Sequence, residues 1–292
     1  MTGFWQVDPF GPALSPLILA GLFGLGWLYR RGLARARRLR TRAAPRRAIF
    51  FWLGLLAMVI ATTGPLPALG VRLFWIHQID HVLMRLLGPL LVAMAQPWPA
   101  IAAGLPRPTR HRLARFAARS PVHVLRHPVT ATLLLIGVFY IWHIPTLFRL
   151  AAALPALGAL AHVTMMLTGP LFFTMLLDAR DPPAGARRSA RLLCGVALVF
   201  STIQLGALVT LKEVVAFGPP RPRLGLPALL DETIGGMVIW APSSALAILA
   251  TFMALHGLHH AEERRWAMRH EIMRRSNSAA LEFPETAEEL WI

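Results

Sequence analysis

Cysteine is almost absent from this chain, because Cys194 is the one cysteine among its 292 residues. A single thiol cannot form an intrachain disulfide, and the sequence has no Cys-X-X-Cys pair for redox chemistry or thiolate metal binding. A metal site in this protein must therefore use histidine, methionine or carboxylate ligands.

Acidic residues are also scarce. Asp and Glu together number 14 against 30 Lys and Arg, while 55% of the residues are hydrophobic and 15% are charged. A soluble domain of this length is not so apolar, so the composition predicts a multi-span membrane protein in contact with a lipid bilayer. In that setting the net charge of +16 indicates topology signals and lipid contacts, and we expect no nucleic-acid binding.

Seven segments are long and apolar enough to cross a bilayer as helices, since a hydrocarbon core of about 30 Å requires roughly 20 apolar residues. They lie near residues 13–30, 48–66, 74–96, 129–151, 156–177, 190–211 and 229–256. We therefore predict an all-α polytopic membrane protein with one seven-transmembrane-helix bundle over residues 1–260 and a cytoplasmic tail over 261–292. The N-terminus lacks the basic region of a signal peptide, so we expect it to be retained.

The distribution of Lys and Arg predicts the orientation of the bundle. Twenty-four of them fall in alternate connections and the C-terminal tail, whereas the opposite connections hold four. The positive-inside rule then places the N-terminus in the periplasm and the C-terminus in the cytoplasm of a bacterial inner membrane. In the connection 106–119, Leu113 and Phe116 are spaced among arginines, which predicts a short helix on the membrane surface.

Ionisable residues inside the predicted third span are the first indication of a functional site. Such groups are costly in lipid unless they face a partner or a wet cavity. His77 and His81 are four residues apart, so both imidazoles lie on one helix face, a spacing that allows a helix to hold a metal. Asp80 and Arg85 lie next to this pair.

The predicted orientation brings polar residues of three further spans to the same periplasmic layer. His143 lies about two turns below the surface, and Pro145 is expected to loosen the backbone there. His162 lies in the first two turns of the fifth span. Asp231 and Glu232 lie at the start of the seventh.

The resulting candidate metal ligands are His77, His81, His143, His162, Asp231 and Met237. The supporting residues are Asp80, Arg85, Met166, Glu232, Gly235 and Gly236, the two glycines because small residues let helices approach closely. Imidazole suits copper, zinc, iron and nickel, and neighbouring thioethers favour Cu(I).

Simpler interpretations of single residues stay open. An intramembrane histidine can serve only as a hydrogen-bond donor between helices, and Asp80 can neutralise Arg85 or Arg149. The methionines can serve packing. The histidines of residues 256–260 can form a second metal-handling point or a solvated helix end.

The order of these motifs resembles the multi-pass CtaG family of cytochrome c oxidase assembly factors over roughly residues 5–256. The resemblance is carried by Trp5, Asp8 and Pro9, by His77, His81 and Pro89, by Tyr140, Trp142, His143 and Pro145, by His162, and by Asp231, Gly235, Gly236 and Trp240. It implies a seven-span inner-membrane protein that matures haem–copper oxidases. Copper would pass from a periplasmic copper donor to an oxidase subunit.

The resemblance also implies a functional set, which consists of His77, His81, His143, His162 and Asp231. This chain departs from the family pattern at Gly158 and Ala161, where another histidine and an acidic residue are common. It departs again at Arg85, where an apolar residue is expected, and at Ile239 in place of methionine.

Two other classes of function compete with copper delivery. Histidines on facing helices can ligate haem b in a membrane electron-transfer protein. Asp80, Arg85, Arg149 and Glu213 can serve a proton-coupled transporter, although the chain shows no internal repeat. We find no nucleophile or acid–base dyad and do not expect an enzyme.

Overall fold

The computed structural model describes residues 14–38, 45–117, 124–178, 180, 186–218 and 224–281. Every regular element within these residues is helical. Trp5, Asp8 and Pro9 of the family pattern, and residues 282–292 of the predicted tail, lie outside them. The helices are α1 (Leu14–Arg38), α2 (Pro45–Thr62), α3 (Pro65–Gly70), α4 (Phe74–Val82), a π-helical turn (Leu83–Leu87), α5 (Gly88–Ala95), α6 (Trp98–Gly104), α7 (Arg107–Ala117), α8 (Pro128–Ile141), α9 (Pro145–Ala153), α10 (Pro155–Leu176), α11 (Arg188–Thr210) and α12 (Ala228–Leu281).

The described chain has four helical stretches that are long and apolar enough to cross a membrane. They are Phe74–Ala95, Pro155–Leu176, Arg188–Thr210 and Ala228–Gly257. Helices α8 and α9 add a fifth if they form one broken span. A helix occupies each of the seven predicted segments, which confirms an all-α membrane protein. Length and composition support four or five spans, so the number seven and the orientation of the termini stay predictions.

The fourth predicted span is broken at Pro145. Proline has no N–H to donate and restricts the residue before it to extended backbone, and Ile144 is extended with ψ 121°. Helix α8 therefore ends at Ile141, and α9 leaves at an angle of 76° to it. His143 lies in the corner between the two helices, not inside a continuous span.

The third span contains a π-helical turn that the sequence pattern did not predict. Pro89 cannot donate a hydrogen bond to the carbonyl of Arg85, four residues earlier. The chain widens at this point into Leu83–Leu87 before α5 begins. Helix α10 packs against the Arg85 carbonyl at Gly169, where a β-carbon would overlap with Arg85 and Pro89.

Helix α12 is longer than a bilayer is thick. It runs for 54 residues, or about 80 Å at 1.5 Å per residue. The part that is apolar enough to span ends at Gly257. The helix continues through the predicted domain boundary at residue 260 as far as Leu281.

The core lies where α8, α10, α11 and α12 meet. Leu135, Phe172, Phe173, Leu198 and Ala250 are buried together there. The outer helix faces are apolar as well, which suits a surface covered by acyl chains. Helix α7 confirms the short helix predicted in the basic connection, and its contact with lipid stays a prediction.

Candidate functional site

Asp231 fixes the start of the helix that carries His77 and His81. Its carboxylate accepts hydrogen bonds from the backbone N–H groups of Phe74, at 2.9 Å, and Trp75, at 3.1 Å. These N–H groups belong to the first turn of α4 and have no partner within the helix. Asp231 thus serves as an N-cap supplied by α12, and both of its oxygens are engaged, although it was predicted to be a metal ligand.

Glu232 has a comparable supporting role. Its carboxylate accepts hydrogen bonds at 2.9–3.0 Å from the backbone N–H groups of residues 216–218 and forms an ion pair with Lys212 at 2.5 Å. This fixes the segment after α11 and presses Phe217 against Phe74, with ring centroids 4.7 Å apart. Two acidic side chains of α12 therefore hold in place the start of α4 and the segment 216–218, which form one wall of the site.

Four imidazoles meet beneath this wall. The ring centroid of His81 lies 4.2 Å from that of His77, 5.3 Å from that of His162 and 6.1 Å from that of His143. Two rings that share one metal ion have centres roughly 4.5–6.5 Å apart, given metal–nitrogen bonds of about 2.0–2.1 Å. The separations of His162 and His143 from His81 fall within this range, and that of His77 lies just below it.

Two of these rings are oriented by their own helices. Nδ1 of His162 lies 2.7 Å from the carbonyl oxygen of Gly158, and Nδ1 of His143 lies 2.6 Å from that of Phe139. A carbonyl accepts only from a protonated nitrogen, so each imidazole carries its proton on Nδ1. Each then presents Nε2 as the electron-pair donor, the arrangement usual for metal-binding histidines.

His143 is nevertheless held by a second residue. Its Nε2 lies 3.0 Å from the amide of Gln78 on α4. Because this nitrogen must accept, the Gln78 amide has to present its NH₂ group, which otherwise has no partner. His143 is therefore better placed to support the site than to bind an ion. Gln78 was missed in the sequence, although a polar residue between His77 and Asp80 in an apolar segment was a usable signal.

His81 stands apart from the other three. It is 3% exposed, and within the described parts of the chain neither of its ring nitrogens has a hydrogen-bond partner. An unpartnered buried polar group is destabilising by about 1–3 kcal/mol. The side chain therefore fits a ligand role at the centre of the cluster.

Asp80 and Arg85 are both buried but do not form the ion pair considered above. The Arg85 guanidinium lies 3.7 Å from the centre of the Phe139 ring, a cation–π contact. Arg149 donates instead to the carbonyl oxygen of Ala216 at 2.5 Å. Among the described residues, Asp80 Oδ1 and one terminal nitrogen of Arg85 have no partner.

A cavity of about 280 Å³ opens onto this cluster. Its polar lining consists of His77, Asp80, His81, His162, Asp231 and Glu232. Its apolar lining includes Phe74, Trp142 and Phe148.

The predicted thioether residues do not line this cavity. Met237, a predicted ligand, is 47% exposed and lies outside the cavity lining, so its ligand role stays a prediction without support from this geometry. Met166 packs on the cluster of Ala61, Met84 and Ala159. Gly235 and Gly236 allow the close approach expected of them, because a β-carbon there would overlap with Phe74 or Thr210.

The donor atoms of the cluster do not yet converge on one point. Within the described ranges, no three His, Cys, Asp or Glu side chains are arranged to hold a metal ion together. The rings are neighbours, so coordination requires side-chain rotation. His77 is half-buried and lines the cavity.

A sequence profile described as cytochrome c oxidase caa3 assembly factor (Caa3_CtaG) matches residues 27–260, from α1 to the middle of α12. The chain belongs to the caa3 assembly factor family. This confirms the resemblance that the histidine motifs indicated. The helices and the family together describe a multi-pass membrane protein of a cytochrome c oxidase assembly factor family.

Relatives of this family member include mycobacterial proteins. It is 24% identical to an uncharacterised protein of Mycobacterium leprae over 271 residues, which cover 87% of this chain and 40% of the relative. It is also 24% identical to uncharacterised proteins of Mycobacterium bovis and Mycobacterium tuberculosis over 280 residues, or 91% of this chain and 41% of each relative. The chain thus spans about two fifths of the length of these relatives. No solved structure matches it.

Proposed function

We propose that this protein binds copper as Cu(I) among His77, His81 and His162 and supplies it to a haem–copper oxidase subunit. The observation that carries the proposal is His81, which lies between two other imidazoles and whose two buried ring nitrogens have no hydrogen-bond partner among the described residues. Cu(I) accepts two or three imidazole ligands in an open geometry, so an ion can enter and leave by ligand exchange. Membership of an assembly factor family supports a role in delivery and not in catalysis.

The placement of two histidines favours an ion over haem b. His77 and His81 share one helix, so they cannot lie on opposite faces of a porphyrin. The cavity of about 280 Å³ has room for an ion with a few waters.

We propose seven spans, with the histidine cavity near the periplasmic side of the bacterial inner membrane. Basic residues gather at the other end of the helices. Arg35 of α1 donates to carbonyl oxygens of Ala103 and Leu105 at 2.5 and 3.1 Å, and Arg188 pairs with Glu262. Under the positive-inside rule that end is cytoplasmic. A periplasmic copper donor would then reach the cavity directly.

Competition with a Cu(I) chelator tests binding. A His77→Ala, His81→Ala double variant should lose one bound Cu(I) per chain, whereas His111→Ala, on the exposed α7, should retain it. As a folding control, the double variant should have the same elution volume in size-exclusion chromatography and a similar melting temperature to the parent. Equal copper stoichiometry in the double variant and the parent would refute the site.

Delivery is tested separately in membranes that depend on this protein for oxidase activity. The double variant should yield oxidase with reduced copper content, and copper added to the medium should restore part of the activity. Oxidase that contains full copper but remains inactive would refute copper supply. That result would leave the assignment to the assembly factor family unchanged, because the assignment rests on sequence.

A further inference from the structure

A second group of histidines lies on α12, far from the cavity. His256, His259, His260 and Glu263 are all exposed. His256 follows Asp231 by 25 residues, which places it about 37 Å further along the helix. This group is therefore separate from the histidines of α4 and α10.

His256 and His260 already point their Nε2 atoms at each other. The two atoms are 3.1 Å apart. Two nitrogens bound to one ion at about 2.0–2.1 Å, with an angle of 90–109°, are separated by about 2.9–3.4 Å. The two nitrogens are therefore already at a separation that suits two ligands of one ion.

Glu263 sets the protonation of His260. Its Oε2 lies 2.9 Å from Nδ1 of His260, so the imidazole carries a proton on Nδ1 and presents the electron pair of Nε2. A carboxylate behind a histidine in this way orients the ring and raises its basicity toward a metal.

The group lies at the level where α12 leaves the apolar layer. The spanning part of the helix ends at Gly257. The ion pair between Arg188 and Glu262 joins the same turn to the first residue of α11. The imidazoles are thus accessible to ions in water and are held at the end of the bundle.

We propose that His256 and His260 form a water-accessible site for a divalent cation of the late first-row series, with Glu263 as its positioning residue. The ion replaces the proton shared between the two Nε2 atoms, and water completes its coordination. Affinity follows the Irving–Williams order, so Cu²⁺ binds more tightly than Ni²⁺ or Zn²⁺. The proposal does not depend on copper in the cavity.

The test is a titration of the full chain with Cu²⁺ and Ni²⁺, after purification without a histidine tag. The parent for this test carries His77→Ala and His81→Ala, which removes the cavity ligands. Adding His256→Ala and His260→Ala should abolish one equivalent of bound Cu²⁺ and its nitrogen hyperfine splitting in the electron paramagnetic resonance spectrum. Adding His270→Ala, which alters a histidine whose ring centroid lies 3.9 Å from that of Trp266, should change neither the bound Cu²⁺ nor the splitting.

Glu263 is tested by two substitutions in the same background. Glu263→Gln should weaken Cu²⁺ binding about tenfold, and Glu263→Asp should restore part of the affinity. Unchanged binding without His256 and His260, or an equal loss in the His270 variant, would overturn the site. Unchanged affinity in Glu263→Gln would overturn the positioning role alone.

Discussion

Replacing Asp231 separates its observed role as a helix cap from its predicted role as a metal ligand. In Asp231→Ala the N–H groups of Phe74 and Trp75 lose their acceptor, and Phe74 is 3% exposed. Hydrogen bonds to charged groups contribute about 1.5–3 kcal/mol each, and the loss of an N-cap costs about 0.5–2 kcal/mol. We expect a total destabilisation of about 2–4 kcal/mol.

Asp231→Asn retains one acceptor oxygen and should lose about half as much. Thermal unfolding in detergent measures both variants, with Met237→Ala as the matched control on the same helix. Because Met237 is largely exposed, its replacement should change stability by about 0.5 kcal/mol or less. The expected order of stability is Met237→Ala, then Asp231→Asn, then Asp231→Ala.

Copper affinity completes this test. If Asp231 acts as a cap, Asp231→Asn keeps most Cu(I) binding at temperatures where it is folded. Parental stability of Asp231→Ala would refute the cap. A stable Asp231→Asn that has lost Cu(I) would restore the ligand role.

Three further outcomes follow from the same contacts. His81→Ala should weaken Cu(I) binding, measured by chelator competition, at least tenfold more than His143→Ala does, because His143 is held by hydrogen bonds at both ring nitrogens; an equal loss would contradict this. Gly169→Ala should destabilise the protein by about 1–3 kcal/mol through overlap with the π-helical turn, whereas Gly137→Ala, with nothing within 4 Å of the added carbon, should be neutral or stabilising in thermal unfolding. Arg85→Met should leave the melting temperature unchanged or higher, since it removes a buried cation without an acidic partner; a large loss of stability would show that the contact with Phe139 outweighs desolvation.

The length of apolar segments and the positions of prolines were sufficient to predict much of the fold. Apolar length placed a helix at each of the seven segments, and Pro145 indicated the disturbance near His143. The π-helical turn was accessible in principle, because Pro89 removes the donor for Arg85. It was missed because the same proline can also produce a simple kink.

The sequence named four histidines that lie close together in the structure, and their role as metal ligands stays a prediction. The four-residue spacing placed His77 and His81 on one face of α4, because this relation depends on helix geometry alone and not on the helices packed around it. Met237 and Asp231 were assigned by depth in the bilayer, which gives the level of a residue along a helix but not the direction of its side chain. In the structure the Met237 side chain is exposed, and the Asp231 carboxylate binds backbone N–H groups.

The sequence by itself determined the class of protein, its family and the histidines to examine, because hydropathy and motif spacing act along the chain. Only the tertiary structure decided which imidazole has no hydrogen-bond partner within the described ranges and which acidic side chains bind backbone N–H groups. These properties depend on how α4, α10 and α12 rotate about their axes as they pack. That rotation is fixed by contacts between residues as distant in sequence as Phe74 and Asp231.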